Sequence, residues 1–162
     1  MKTRIAMVLA ALALASCGSD TETFELSFPS VEAFSASETV RVYGVPVEEG
    51  EAGTCRDLLA QAEDVGSISD ASEDTGPIPV CEFRRGGVEL PSVGEGLRAY
   101  VAVAEDTTGE ALLSGCTIRD VYGDASEVTI VLAPTDAYRE RIEAGTMPTG
   151  CSVEDRCSGA CP

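Results

Sequence analysis

Gly96-Leu97-Arg98-Ala99-Tyr100-Val101-Ala102-Val103-Ala104 decides the fold class. On a strand, successive side chains point to opposite faces, so Ala99, Val101 and Val103 share one face and Tyr100, Ala102 and Ala104 the other. A strand with one wet face alternates apolar and polar residues, whereas this one is apolar on both. It reads as a central strand covered on two sides or lying in a sandwich core. Glu105-Asp106-Thr107-Thr108-Gly109-Glu110 then turns the chain, with Gly109 available for a positive φ. Residues 111–121 return as the partner strand and carry Cys116. After a turn at Tyr122-Gly123-Asp124, residues 127–132 close the series, with Val128, Ile130 and Leu132 on one face.

Working outward, Phe24-Glu25-Leu26-Ser27-Phe28 alternates as a half-buried strand and is stopped by Pro29. Residues 38–45 are rich in β-branched side chains and are stopped by Pro46. After a charged turn at 48–53, Thr54 is placed to cap a short helix over residues 55–62. The acidic, serine- and glycine-rich stretch 63–79 reads as a mobile loop. It holds Asp74-Thr75-Gly76, the tripeptide of aspartic proteases, but Ser72 and Glu73 precede it where that motif needs apolar strand residues, so it is read as a turn. Residues 78–84 and 87–90 are predicted as short strands. Beyond Pro134, residues 135–144 form a short charged helix before a cysteine-rich tail.

At the other end, Lys2 and Arg4 precede a short apolar run that finishes Leu14-Ala15-Ser16-Cys17. A charged start, an apolar segment of about ten residues and small residues before a cleavage point make a secretory signal. The run is too short to span a bilayer, which needs about 20 residues. With the cysteine directly after Leu-Ala-Ser, the segment resembles a bacterial lipobox. The resemblance implies cleavage before Cys17 and acylation of its thiol. The expected organisation is a lipoprotein signal peptide at 1–16, a lipidated cysteine and tether at 17–22, a β domain at 23–133 and a helix with a cysteine-rich tail at 134–162. Gly18 after Cys17 favours the outer membrane of a bacterial envelope, with the periplasmic or outer face left open.

Six further cysteines, Cys55, Cys81, Cys116, Cys151, Cys157 and Cys161, form an even set in an exported chain and read as a disulfide framework. Three lie in the body and three in the tail, so full pairing needs at least one bridge between them. Cys55–Cys116 is the preferred core bridge and Cys55–Cys81 its rival.

Composition excludes more than it assigns. The chain has 28 acidic residues against 11 basic ones and a net charge of −17. Removal of Lys2 and Arg4 leaves nine arginines and a net charge near −19. Such a surface opposes nucleic acid, whose affinity comes from Lys and Arg on phosphates, and it opposes anionic lipid. Any membrane link is then the anchor at Cys17. Residues 17–162 contain no lysine, histidine, asparagine or tryptophan. That removes histidine-based triads, lysine nucleophiles, P-loop lysines and imidazole-ligated zinc. The chain is read as not an enzyme.

Gly94-Glu95-Gly96 with the strand after it, Thr108-Gly109-Glu110, and Glu127-Val128-Thr129-Ile130-Val131-Leu132 together resemble a prealbumin-like repeat, as in carboxypeptidase regulatory-like domains. The Gly115-Cys116 pair is similar to one on the returning strand of surface lipoproteins of high-GC bacteria. The resemblance implies an all-β, Ig-like or prealbumin-like β-sandwich with a short helical insertion and a disulfide-stapled tail. It also implies a non-catalytic structural or protein-interaction module facing an envelope or extracellular protein partner. The alternative is a calcium- or glycan-binding module. Its candidate ligands are Glu105, Asp106 and Glu110 at one turn and Asp120 and Asp124 at the next, since calcium takes six to eight oxygens from such loops. Tyr43, Tyr100 and Tyr122 are candidates for an aromatic platform.

Overall fold

A computed structural model describes residues 23–48, 53–85, 96–121 and 127–161. The elements run β1 (Thr23–Ser27), α1 (Val31–Ala36), β2 (Thr39–Pro46), α2 (Thr54–Val65), β3 (Glu73–Asp74), β4 (Ile78–Pro79), α3 (Val80–Arg84), β5 (Gly96–Glu105), β6 (Ala111–Val121), β7 (Glu127–Val131), β8 (Ala133–Pro134), α4 (Asp136–Glu143) and α5 (Val153–Ser158). The chain is thus β-rich, with an antiparallel main sheet, short helices and disulfides that reach the C-terminal segment.

The main sheet runs β3-β2-β5-β6-β8, with β4 also on β2, and β1 lies parallel to β7 in a separate ribbon. The central strand is β5, antiparallel to β2 on one side and β6 on the other. Its two apolar faces enter two different cores. Tyr100, Ala102 and Ala104 pack with Val40, Val42, Leu113, Val128 and Ile130 beneath the β1–β7 ribbon. Ala99, Val101 and Val103 pack with Tyr43, Val45, Ala62 and Ile68 on the side of α2. The all-apolar run in β5 is therefore the consequence of cover on both sides.

Gly115 and Cys116 divide two tasks between these faces. A Cβ at Gly115 would collide with the carbonyl oxygen of Val131 and sit 3.0 Å from Ile130 Cγ2, so only glycine lets β7 pass this close. The next side chain points the opposite way. Cys116 is bonded to Cys55, stapling α2 across the other face. Ser114 Oγ donates to Glu63 of α2 at 2.5 Å beside that staple. This is the preferred core pairing, and the rival Cys55–Cys81 bridge does not form.

Several sequence expectations change. Residues 80–84 are helical, not strand: Val80 and Phe83, three apart, are both buried, as one face of a helix requires. Only Ile78–Pro79 pairs with β2. The stretch 63–79 is not a mobile loop. It completes α2, buries Ile68, and is tied to β2 by Ser72 N to Gly44 O at 2.9 Å and Thr75 N to Val42 O at 3.1 Å. Thr54 begins α2 but does not cap it; Gly53 does, without a side-chain bond. The helix after Pro134 forms with Thr135 as its cap. The predicted strand at 87–90 and the turn at 122–124 lie outside the described residues, as do Cys17 and the signal segment. Among the described residues no helix is long and apolar enough to cross a membrane.

Candidate functional site

A groove of about 540 Å³ opens beside β1. Alternation along β1 directs Phe24 and Leu26 toward the main sheet, and Phe28 follows in phase, yet all three remain half-buried. Phe24 meets Tyr100 edge-on at 5.2 Å, and Phe28 meets Phe34 of α1 at 5.1 Å. Ser30 starts α1 by accepting from Ala33 N at 3.1 Å, which sets Phe34 inward and leaves Val31 44% exposed at the rim. Val80 and Phe83 of α3 form the floor opposite, and Val153 of α5 closes one end.

The tail builds that wall. Cys81–Cys157 joins α3 to α5, which is the body-to-tail bridge that the odd counts require. Arg84 pairs with Glu154 at 3.1 Å, and Arg85 donates to the carbonyl of Cys157 at 3.2 Å. Arg156 of α5 reaches Glu38 at 2.5 Å, at the foot of β2. Cys151–Cys161 closes the tail on itself. The cysteine-rich segment is thus a structural wall fastened to the body through α5.

Chemically, the groove is an apolar concavity. Its walls are aromatic and aliphatic, with Glu25, Ser30 and Arg84 as the polar lining groups, and Arg84 is already paired. Among the described residues no strand pairs with the outer edge of β1, since its one partner is β7. Size and lining match small-ligand and peptide sites, which are apolar concavities of roughly 300–1,000 Å³ with few polar groups.

Of the residues singled out for calcium, Asp106 and Glu110 are brought together, but on Arg141, and Asp120 stands apart from them. Asp106 is 8% exposed at the β5–β6 turn. Its carboxylate accepts from Thr108 N and Oγ1, both at 2.7 Å, from Glu110 N at 3.0 Å, and from Arg141 of α4. Burial alone would raise its pKa, but the Thr108 hydroxyl, Arg141 and the two amides more than offset that and hold it well below the usual carboxylate range. Glu110 pairs with the same guanidinium at 2.5 Å, and the Asp106 and Glu110 carboxylates hold Arg141 above its ordinary pKa. Arg141 therefore occupies the position that a cation would need. Glu105 accepts from Thr39 Oγ1 at 3.4 Å. Asp120 stands opposite Leu97 at the far end of β6, roughly 30 Å away at about 3.3 Å per residue. Asp124 lies outside the described residues. Among the described residues no group of three or more His, Cys, Asp or Glu side chains is arranged to hold a metal.

Tyr43 and Tyr100 form no exposed platform, being 2% and 0% exposed, and Tyr43 donates its hydroxyl to Gly66 O at 3.0 Å. Tyr122 is outside the described residues. Asp74 in the Asp-Thr-Gly turn is bound by Arg41 at 2.8 and 2.5 Å, which lowers its pKa, and Thr75 Oγ1 accepts from Val42 N. That motif fastens β3 to β2.

Sequence reasoning missed the groove because its lining comes from four elements, three of which, the helices α1, α3 and α5, were not foreseen. It missed Arg141 because the guanidinium lies more than 30 residues from the turn it neutralises. The alternation of 24–28 was the available signal for the groove, and the few arginines of residues 17–162, which hold no lysine, were the signal for the ion pairs. Searches against protein-family models, characterised proteins and solved structures found no match to this chain.

Proposed function

We propose that this chain is a lipid-anchored, non-catalytic lipoprotein of the bacterial envelope. In this reading it is tethered through an acylated Cys17, with the outer membrane favoured, and acts as a protein-interaction module. The domain is read as a variant of the prealbumin-like or Ig-like sandwich, in which the β1–β7 ribbon takes the place of a full second sheet. The observation that carries the function is the apolar groove beside the open edge of β1. Its occupant is an extended segment of a partner protein that adds to the β1 edge and seats alternate apolar side chains between α1 and α3. Basic residues flank that segment. The chain carries a net charge of −17, and Glu25, Glu32 and Glu82 stand exposed on the strand and helices that line the groove. Long-range attraction of this kind speeds encounter and weakens with salt.

The test is carboxylate-directed cross-linking in intact cells, with the linked residues identified by mass spectrometry. Amine-reactive reagents are unsuitable because residues 17–162 contain no lysine. One partner linked through Glu25, Glu32 or Glu82, and lost in Val31→Arg, is expected. Val31 is already exposed, so the substitution spares the fold. A partner linked only elsewhere, or capture indifferent to Val31→Arg, contradicts the reading.

A further inference from the structure

The end wall of the groove is held to the body by one disulfide and a few surface contacts. Helix α5 has six residues and none of them is buried, although Val153 and Cys157 rest partly covered against the core. A helix of that length does not persist alone in water, where about 12–15 residues are needed. Its Glu154–Arg84 pair is exposed on both sides, and such pairs add little. Arg156–Glu38 is half-exposed. Cys81–Cys157 is therefore what keeps Val153 at the end of the groove. Cys55–Cys116, by contrast, fastens a 12-residue helix that buries Ala62 and is tied again by Glu63 to Ser114.

The charge beside that bond favours its attack. Thiol–disulfide exchange needs a thiolate, and a chain of net charge −17 repels one. Arg85 is an exception on this surface. It closes α3 four residues after Cys81, on the same side of the helix, and donates to the carbonyl oxygen of Cys157 at 3.2 Å. Among the described residues no ion pair joins it to a carboxylate. Its charge therefore draws a thiolate in and stabilises the cysteine thiolate that leaves. Detaching a short surface helix exposes the bond, and local openings of this kind are the easiest a fold has.

We propose that Cys81–Cys157 is a redox latch on the groove: a dithiol reductant opens it, α5 swings off, and the groove loses its end wall. The latch rests on the groove reading only for what it gates. One thiolate of the reductant attacks Cys157 Sγ, and Cys81 leaves as a thiolate. The second thiolate then attacks the mixed disulfide and frees Cys157. Two electrons pass, the reductant ends as a disulfide, and its two protons end on Cys81 and Cys157. The full chain in detergent is titrated with dithiothreitol, alkylated with N-ethylmaleimide at intervals, mapped by mass spectrometry and followed in parallel by hydrogen exchange. No partner is needed, so a failed latch leaves groove docking standing, and a missing partner leaves the latch standing. Cys81 and Cys157 are expected to label at least about tenfold faster than Cys55 and Cys116. Amides of α5 should lose protection as that bond goes, whatever the state of Cys151–Cys161, while β5 and β6 stay protected. Arg85→Gln should slow the opening about threefold, and Arg85→Lys should leave it near wild type. The latch is overturned by Cys55 and Cys116 labelling as fast, or by α5 staying protected once its bond is reduced. Protection lost together with β5 and β6, or an opening rate indifferent to Arg85→Gln, overturns it too.

Discussion

Replacing Asp106 by alanine removes the carboxylate that ties the β5–β6 turn to α4. Its side chain is 7% exposed and accepts four hydrogen bonds, one of them from Arg141. Hydrogen bonds to a charged group contribute about 1.5–3 kcal/mol each, but three of these close a local turn whose amides regain water on truncation. Breaking a buried pair costs about 3–5 kcal/mol, and Arg141 here is 31% exposed and keeps Glu110, which points to the low end. The expected loss is about 3 kcal/mol. At roughly 3–4 °C per kcal/mol for a domain of this size, Tm falls by about 10 °C. The assay is urea and thermal unfolding with disulfides intact, and a double-mutant cycle with Arg141→Ala should return about 1–2 kcal/mol of coupling. Asp106→Asn adds a pH arm. Because the folded pKa of Asp106 lies below its unfolded value, its contribution is complete above the ordinary carboxylate range. It is lost as pH falls through that range toward the folded value. The wild-type advantage over Asp106→Asn should shrink on acidification. An Asp106→Ala variant within about 0.5 kcal/mol of wild type, the scatter of ordinary surface changes, would refute the reasoning.

Gly115→Ala should cost about 1–3 kcal/mol by chemical denaturation, because the new Cβ meets the β7 backbone, whereas Gly44→Ala should cost less, because it meets the movable carboxylate of Glu73. Equal effects would contradict that distinction. Removing Cys55–Cys116 or Cys81–Cys157 as a serine pair should each cost about 4 kcal/mol, since they close separations of 61 and 76 residues. Removing Cys151–Cys161, with a separation of 10, should cost about 2.5 kcal/mol by the same loop entropy. A reversed order in urea unfolding would show that strain or residual structure dominates. Arg84→Ala should change Tm by under about 2 °C, because its pair with Glu154 is 49% and 74% exposed.

The strands were legible where burial imposes a pattern. Two-sided cover wrote an unbroken apolar run into β5, and one-sided cover wrote clean alternation into 24–28 and 127–132. Thr135 after Pro134 marked the start of α4. What failed was local ambiguity. Ile78, Val80 and Phe83 satisfy a strand in part and a helix in part, and a five-residue helix is too short for period to arbitrate. Helix α1 escaped notice for the same reason, although Ser30 with Glu32 in the first turn is a start signal. The acidic composition of 63–79 suggested a loop, but backbone pairing with β2 overrides composition. The parallel β1–β7 pairing and the Arg141–Asp106 contact join distant parts of the chain, and no local pattern encodes them.

The most direct test of groove docking is a photo-cross-linking residue placed at position 31, on the rim, compared with one at position 142, another exposed apolar site, on α4 away from the groove. In intact cells, position 31 should give one discrete adduct that fades as external salt is raised, and position 142 should give none. Identical adducts from both positions, or none from position 31 with cross-linking shown to work, would contradict docking at the groove.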